Sequence, residues 1–219
     1  MVRESAPDPF EITSRIWSGY YGAQLGFDVG ANCGQSIGHM FDVCQRVMAF
    51  EPNRDSFSLM QEKWGTDPRV TLLGLAVSSH TGPVRLAQLG GEQAESGQLV
   101  TLGLKGMEWE PEDWSAVQVE EFPAWCLDDL AEDFGFPDFV KVDTEGHEAE
   151  VLRGARRLIS EYVPDWLIEF HSPENHATCV DLLQSWSSGA YEIEVVRHPH
   201  YPEASRMWFQ HGWVKAIAR

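Results

Sequence analysis

"FDVGANCGQSI", residues Phe27 to Ile37, places an acid, two glycines and an asparagine directly behind an apolar run. The apolar run is typical of a buried parallel strand, and ligands bind to parallel sheets at the loops that follow such strands. Gly30 and Gly34 have no Cβ, so the backbone there can turn tightly and approach a ligand closely. The loop alone leaves four alternatives open: a dinucleotide, a phosphate group, a nucleoside-containing methyl donor, or no ligand.

The size and composition of the chain are typical of one soluble domain, which we assign to residues 1–219. Hydrophobic residues make up 43% of the chain and charged residues 23%, and no apolar run is long enough to span a bilayer. The start, "MVRESAPDPFEI", has no apolar core of a signal peptide. The cysteines form no CxxC pair, so we expect a reduced, cytoplasmic protein. They are Cys33, Cys44, Cys126 and Cys179.

The net charge of the chain is −18, from 34 acidic against 16 basic residues. Proteins bind nucleic acids largely through Lys and Arg, and an acidic surface repels phosphate groups. We therefore expect neither a nucleic acid nor an anionic membrane as a partner. Most of this charge is explained by solubility, and the oligomeric state is left open.

Short apolar runs alternate with amphipathic stretches, a pattern that predicts βαβ units around a parallel sheet. Strands are predicted over residues 25–29, 46–52, 70–77, 139–143, 165–171, 191–197 and 208–218. Helices are predicted over residues 35–44, 52–64, 149–159 and 174–187. The last two strands should pair as a terminal hairpin. Residues 1–20 are predicted to form a polar lead-in, and residues 80–123 a β-rich insertion near the substrate site.

The spacing around the glycine loop distinguishes between the ligands. A nicotinamide or flavin fingerprint needs GxGxxG, but the middle glycine is missing here, and the chain has no Gly-Lys-Ser/Thr of a P-loop. Asp28 precedes the loop, where its charge would repel a pyrophosphate and attract a cation or an amine. Glu51 follows the second strand, where a carboxylate either binds a ribose diol or caps the next helix. Together these acids favour a positively charged nucleoside, and S-adenosylmethionine fits that description.

Five segments then show a family resemblance. They are "FDVGANCGQS", "AFEPNRDSF", "GLAVSS", "FVKVDTEGHEAEVLRGARRLI" and "LIEFH". In this order they resemble the FkbM-type family of S-adenosylmethionine-dependent methyltransferases. The resemblance implies a class I Rossmann-like α/β fold with seven strands in the order 3-2-1-4-5-7-6, the last strand antiparallel. It also implies methylation of a hydroxyl on a sugar, lipid or natural-product acceptor.

The resemblance implies donor-binding residues at the ends of the first three strands. The residues under the methionine moiety would be Asp28, Gly30, Asn32 and Gly34. Glu51 would hold the ribose with Pro52 nearby, and Ala76 and Val77 would lie near the adenine. Asp143, at the end of the fourth strand, would face the methyl group and the acceptor.

An aliphatic hydroxyl is a poor nucleophile until its proton is removed, so the reaction needs a base or a metal ion. The ionisable residues at the ends of the fourth and fifth strands are Asp143, Glu145, His147, Glu169 and His171. The two histidines should titrate near neutrality, and with Asp143 they are the catalytic candidates. Glu148 and Glu150 are assigned only to the favourable dipole at a helix start.

A divalent cation is the alternative to a base. Asp143, Glu169 and His171 would bind Mg²⁺ or Mn²⁺, in an arrangement similar to that of catechol O-methyltransferase. The lysine that this enzyme has beside its first aspartate has no counterpart here, because we expect Lys141 to point away within its strand. Two other functional classes also stay open: a dinucleotide or nucleotide-sugar enzyme on the same sheet, and a non-catalytic S-adenosylmethionine-binding protein. The sequence does not identify the acceptor.

Overall fold

The computed structural model describes residues 16–88, 99–101, 118–197 and 212–218, which contain eleven strands in two sheets. The strands are β1 (Ala23–Val29), β2 (Cys44–Phe50), β3 (Val70–Leu73), β4 (Ala76–Val77), β5 (Gly82–Gln88), β6 (Leu99–Thr101), β7 (Gln118–Trp125), β8 (Phe139–Val142), β9 (Asp165–Phe170), β10 (Tyr191–Arg197) and β11 (Gly212–Ala218). The α-helices are α1 (Ile37–Met40), α2 (Arg54–Trp64), α3 (Leu127–Phe134), α4 (Glu148–Arg153) and α5 (Pro173–Trp186), with a π-helical turn at Leu158–Tyr162.

The larger sheet has seven strands in the order β3-β2-β1-β8-β9-β11-β10. The first five of these run parallel, whereas β11 is antiparallel to both of its neighbours. The predicted α/β sheet with a terminal hairpin of β10 and β11 is therefore confirmed. Since β1 lies between β2 and β8, the loops that follow these three strands meet at one edge of the sheet.

The central strands are buried on both faces. In β8 all four residues are buried, and in β1 every residue except Gln24 is buried. Phe27 and Phe50 are at most 1% exposed and meet edge to face, with ring centroids 5.3 Å apart. Burying each of these rings contributes about 1.5–3 kcal/mol. The end of β1, and hence the loop after it, thus rests on a rigid core.

The strand predicted over residues 70–77 is in fact two strands in two sheets. β3 pairs with β2 only up to Leu73, and β4 pairs with Ala124 and Trp125 of β7 instead. The last bond of the ladder with β2 runs from Glu51 N to the Leu73 carbonyl, and the next N–H on that side, that of Asn53, donates to the Glu51 side chain instead. The chain therefore leaves the large sheet at Gly74.

The helix predicted over residues 35–44 is also shorter than expected. Only Ile37–Met40 is helical, because Val43 N donates to the Met40 carbonyl and the chain turns into β2 at Cys44. Gly38 lies inside this turn and the Ser36 side chain makes no capping bond, so nothing local favours a longer helix.

The apolar stripe predicted for the helix after β8 lies in the core. Val151, Leu152, Ala155, Leu158 and Ile159 are all 0% exposed. The helix is nevertheless interrupted at Gly154, where a Cβ would lie 2.1 Å from the Ser78 carbonyl oxygen. The α4 segment therefore ends at Arg153, and the chain resumes helical turns before residue 158.

The smaller sheet has four strands in the order β4-β7-β5-β6. Three of these strands, β5, β6 and β7, belong to the segment 80–123 that was predicted as a β-rich insertion, of which residues 89–98 and 102–117 lie outside the described residues. Residues 1–15 of the predicted lead-in and residues 208–211 of the last predicted strand lie outside them as well. Among the described residues, no helix has both the length and the apolar character needed to cross a bilayer.

Candidate functional site

The loop after β1 has the left-handed backbone that its glycines allow. Gly30, Asn32 and Gly34 have φ angles of 74°, 51° and 75°. Two backbone amides, those of Gly30 and Ala31, donate to the Phe50 carbonyl at 3.0 Å. These bonds fix the loop to the end of β2.

Gly30 touches the backbone of the loop after β8. A Cβ on Gly30 would lie 1.9 Å from the carbonyl oxygen of Asp143, a distance that no side chain tolerates. Gly34 is similarly restricted, since its Cβ would lie 2.6 Å from the Trp64 ring, whose Nε1 donates to the Gly34 carbonyl at 2.8 Å. The predicted donor loop and the predicted catalytic aspartate are therefore in direct backbone contact.

Glu51 is oriented by two backbone amides. Its Oε2 accepts from Asn32 N at 2.9 Å and its Oε1 accepts from Asn53 N at 2.7 Å. Burial raises the pKa of Glu51, although both of these bonds oppose the rise. The alternative role as a helix cap falls to Asn53, whose Oδ1 accepts from the first turn of α2. Each carboxylate oxygen of Glu51 keeps a second lone pair, which a ribose hydroxyl could use.

Asp28 lies beneath the loop rather than at its surface. Its side chain is 0% exposed and forms an ion pair with Lys141, whose Nζ is 3.2 Å from Oδ1. The same ammonium lies 3.4 Å from Oδ2 of Asp143. The expectation that Lys141 points away from the site is therefore wrong, because its ammonium joins the two predicted aspartates.

The predicted adenine and ribose neighbours are Ala76, Val77 and Pro52. Ala76 and Val77 form β4 and are 5% and 4% exposed, while Pro52 is half-buried. Ala76 and Val77 follow β3 in the chain but belong to the smaller sheet, and the roles of all three residues stay predictions.

The side chain of His171 is 7% exposed and lies between three acids. Its Nδ1 is 2.9 Å from Oε1 of Glu148, while its Nε2 lies 3.4 Å from Oε2 of Glu145 and 3.8 Å from Oδ1 of Asp143. Burial alone would lower the pKa of the ring, but these carboxylates outweigh burial and raise it to about 10. At neutral pH the ring therefore carries a proton, which does not fit the role of a base.

His147 behaves in the opposite way. Burial lowers its pKa, and its Nε2 lies 2.9 Å from Oγ of the buried Ser78. The expectation that both histidines titrate near neutrality is therefore not met. Their two pKa values move apart because burial outweighs the nearby carboxylates at His147, whereas the carboxylates outweigh burial at His171.

The structure brings together three groups that could hold a metal ion. One donor atom from each of Asp143, Glu145 and His171 lies within 4.8 Å of the others. Glu169 is not in this set, although it is near enough for the Asp143 charge, together with burial, to raise its pKa to about 8. Of the three metal ligands expected from the sequence, Asp143 and His171 belong to this set, and Glu145 stands in place of Glu169.

Glu148 is the functional residue that sequence reasoning missed. It is 0% exposed and accepts from Gly146 N at 2.9 Å, from Thr144 N at 3.1 Å and from Asn175 Nδ2 at 2.7 Å, besides its bond with His171. Its assignment to the helix dipole alone is therefore wrong. Glu150 does fit that assignment, since it is partly exposed and pairs with Arg153 of the same helix.

Comparison with known proteins gives the family context of this geometry. The chain matches the family model described as the methyltransferase FkbM domain over residues 28–198. Among curated protein sequences, no significant match was found.

Several solved structures are similar to the chain. The methyltransferase FkbM from Methylobacillus flagellatus KT is 21% identical, with a TM-score of 0.61, over 89% of this chain and 44% of that chain. A precorrin-6y C5,15-methyltransferase from Geobacter metallireducens GS-15 is 12% identical, with a TM-score of 0.52, over 100% and 94% of the two chains. An rRNA methylase from Streptococcus thermophilus is 8% identical, with a TM-score of 0.54, over 98% and 99%. These likenesses confirm the Rossmann-like fold, and the chain spans less than half of the FkbM structure's length.

Proposed function

Because the chain belongs to the FkbM family of S-adenosylmethionine-dependent methyltransferases, we propose that it methylates a hydroxyl oxygen of a small-molecule or glycan acceptor. One observation carries this proposal: the backbone of Asp143 touches the donor loop at Gly30, and its carboxylate beside Lys141 is partly exposed. A carboxylate at this position can accept the proton that a hydroxyl loses when it attacks a methyl group. We also propose that residues 1–219 form one domain and that the protein is cytoplasmic.

The residues at the ends of β1 to β4 fit the proposed donor. S-adenosylmethionine supplies an electrophilic methyl group on a positively charged sulphur. The loop of Gly30, Asn32 and Gly34 offers backbone without bulky side chains, and Glu51 offers two oriented oxygens for the ribose. Asp28 contributes from below, because its buried charge holds Lys141 and through it Asp143. Since the donor is already reactive, these residues mainly align it and exclude water.

Asp143 is the proposed base, on grounds of geometry. Its backbone adjoins the donor loop, whereas His147 is engaged with Ser78 and His171 already holds a proton. His171 then acts on Asp143 as a nearby positive charge. The alternative to a base is a Mg²⁺ or Mn²⁺ ion held by carboxylate and imidazole groups at the ends of β8 and β9, which would replace the Nε2 proton of His171 and make the acceptor hydroxyl more acidic.

The test of the proposal begins with binding. Calorimetric titration with S-adenosylhomocysteine and, separately, with NAD⁺ should show binding of the first and not of the second. Transfer of labelled methyl from the donor is then measured on monosaccharides, a hydroxylated fatty acid and catechol, and mass spectrometry locates the methyl group. Binding of NAD⁺ without S-adenosylhomocysteine, or a methyl group on nitrogen or carbon, would overturn the proposal.

Replacing Asp143 by asparagine separates a catalytic from a passive role. Turnover should fall by about 100-fold or more, the loss expected for a general base, while the affinity for S-adenosylhomocysteine changes little. Glu150→Gln is the matched control, because it removes a carboxylate of α4 that pairs only within its own helix. If Asp143→Asn turns over as fast as Glu150→Gln, Asp143 is not the base.

A further inference from the structure

The imidazole of His171 is buried and directed at two carboxylates. Its Nε2 is 3.4 Å from Oε2 of Glu145 and 3.8 Å from Oδ1 of Asp143. Two oxygen or nitrogen ligands of a metal ion at about 2.1 Å are about 3.0 Å apart at right angles and about 4.2 Å apart when opposite. Both observed separations fall within this interval, so one ion can reach all three groups with small side-chain movements.

The other polar atoms of two of these groups are already held. His171 Nδ1 bonds to Oε1 of Glu148, and Oδ2 of Asp143 pairs with Lys141 at 3.4 Å. Histidines that bind metals typically donate their second ring N–H to a carboxylate, which fixes the tautomer and the direction of the ring nitrogen that binds the metal. The contacts with Glu148 and Lys141 therefore leave Nε2 and Oδ1 directed toward the same point.

Glu148 is itself fixed by the loop after β8 and by α5. Backbone N–H groups of Thr144 and Gly146 donate to its Oε1, and Asn175 Nδ2 donates to its Oε2. Asn175 also donates to the Gly146 carbonyl at 2.8 Å. A carboxylate that is 0% exposed and held from three sides cannot rotate away from the His171 ring.

We propose that Asp143, Glu145 and His171 form a binding site for a divalent cation, Mn²⁺ or Mg²⁺, and that Glu148 is its positioning residue. Two carboxylates and one imidazole are a ligand set that suits Mn²⁺ well and Mg²⁺ with added water. The role of the ion in methyl transfer rests on the proposed function, but its binding does not. The set differs from the one expected from sequence, because Glu145 takes the place of Glu169.

Direct measurement of Mn²⁺ binding tests the site without any turnover. The probe is MnCl₂, added to the whole protein in the absence of donor and acceptor, with bound ion followed by loss of the electron paramagnetic resonance signal of free Mn²⁺. Glu145→Gln should weaken binding by about tenfold or more, and Glu148→Gln by about 10–100-fold, as for other partners of metal-binding histidines. Glu169→Gln and the control Glu150→Gln should stay within about threefold of the wild type.

Each other outcome contradicts the proposal. Absence of saturation at millimolar Mn²⁺ would mean that the carboxylates and the protonated ring neutralise one another without an ion. A loss in Glu169→Gln with none in Glu145→Gln would restore the ligand set expected from the sequence. An unchanged affinity in Glu148→Gln would remove its positioning role.

Binding of S-adenosylhomocysteine is measured on every variant and on the wild type. It shows that a variant is folded, and it separates the two proposals. If S-adenosylhomocysteine binds and methyl transfer occurs but Mn²⁺ does not bind, the metal site is wrong and the proposed function stands. If Mn²⁺ binds as expected but S-adenosylhomocysteine does not, the proposed function is wrong and the metal site stands.

Discussion

Replacing Glu51 by glutamine should weaken the binding of S-adenosylhomocysteine by about tenfold or more. The carboxylate of Glu51 is 7% exposed, and both of its oxygens are directed by backbone amides, those of Asn32 and Asn53. Because solvent hardly reaches this group, hydrogen bonds from a ribose would be weakened little by water. The substitution removes the charge and one of the two acceptors while keeping the shape of the side chain.

The magnitude follows from the number of hydrogen bonds affected. A hydrogen bond to a charged acceptor contributes about 1.5–3 kcal/mol and one between neutral groups about 0.5–1.5 kcal/mol. One ribose hydroxyl would keep a neutral amide oxygen as its acceptor, and the other would face an NH₂ group and lose its acceptor. The lowest sum is about 1.5 kcal/mol, which corresponds to about tenfold in Kd. The NH₂ group would also face one backbone N–H, so the fold itself should lose about 1–3 kcal/mol.

The assay is calorimetric titration at a temperature where thermal melts show the variant to be folded. Trp64→Phe is the matched control, because it removes the hydrogen bond from Nε1 to the Gly34 carbonyl and so loosens the same loop without touching the carboxylate. A Kd for Glu51→Gln within about threefold of the wild type would refute the reasoning. An equal loss in both variants would attribute the effect to loop order instead of the ribose contact.

Two further predictions concern buried charges and buried thiols. Lys141→Met leaves the carboxylate of Asp28 buried without its ion pair, so the free energy of unfolding in urea should fall by about 3–5 kcal/mol. The control Lys63→Met replaces an exposed lysine and should change this free energy by less than about 0.5 kcal/mol. A similar small change in both variants would contradict the prediction. Burial raises the pKa of Cys44 to about 12 and also raises that of Cys179, so both thiols stay protonated at about pH 8. Because the thiolate is the reactive form, dithionitrobenzoate should modify these two cysteines only after denaturation in guanidinium chloride. Reaction of either thiol in the folded protein would contradict this prediction, because it would show that the structure around that cysteine opens to the reagent.

The central strands of the large sheet were predictable because burial on both faces produces continuous apolar runs. β10 lies at the edge of the sheet, and its apolar residues alternate with exposed glutamates, a pattern that also indicates a strand. Two of the errors have a common cause, since both depend on where backbone hydrogen bonds find partners. At Gly74 the pairing with β2 had ended because Asn53 N donates to the Glu51 side chain, and at Cys44 the need to begin β2 shortened the preceding helix. A single chain segment does not show where its neighbour stops.

The residues of the candidate site also differ in whether a local sequence signal could have predicted their positions. Glu51 was predicted from a local signal, an acid after the second strand, and its role in ribose binding stays a prediction. Lys141 was misjudged although a local signal existed: residues two apart in a strand point to the same face, so Lys141 and Asp143 share one. Lys141 is also the register partner of Asp28 in β1, which the pairing of two parallel strands could have suggested.

Glu148 had no comparable local signal. Acids at the start of a helix are common, and its burial arises from partners elsewhere in the chain, His171 at the end of β9 and Asn175 in α5. Only after β8 and β9 pair and α5 packs against α4 and β9 do these residues surround the carboxylate. Periodicity and motif spacing contain no information about contacts between residues so far apart in the sequence.

The buried ionic groups at this edge of the sheet are more easily explained by function than by stability. Taking a charge out of water costs several kcal/mol, and a buried ion pair often contributes less than apolar residues of the same volume would. Yet Asp28, Lys141, Glu148 and His171 are all buried or nearly so: Asp28 holds Lys141, Lys141 pairs with Oδ2 of Asp143, and Glu148 holds Nδ1 of His171. Such an arrangement gains little for folding, but it fixes the directions of the Asp143 carboxylate and of the His171 ring. Positional accuracy of this kind is what alignment of a donor, an acceptor and a metal ion requires.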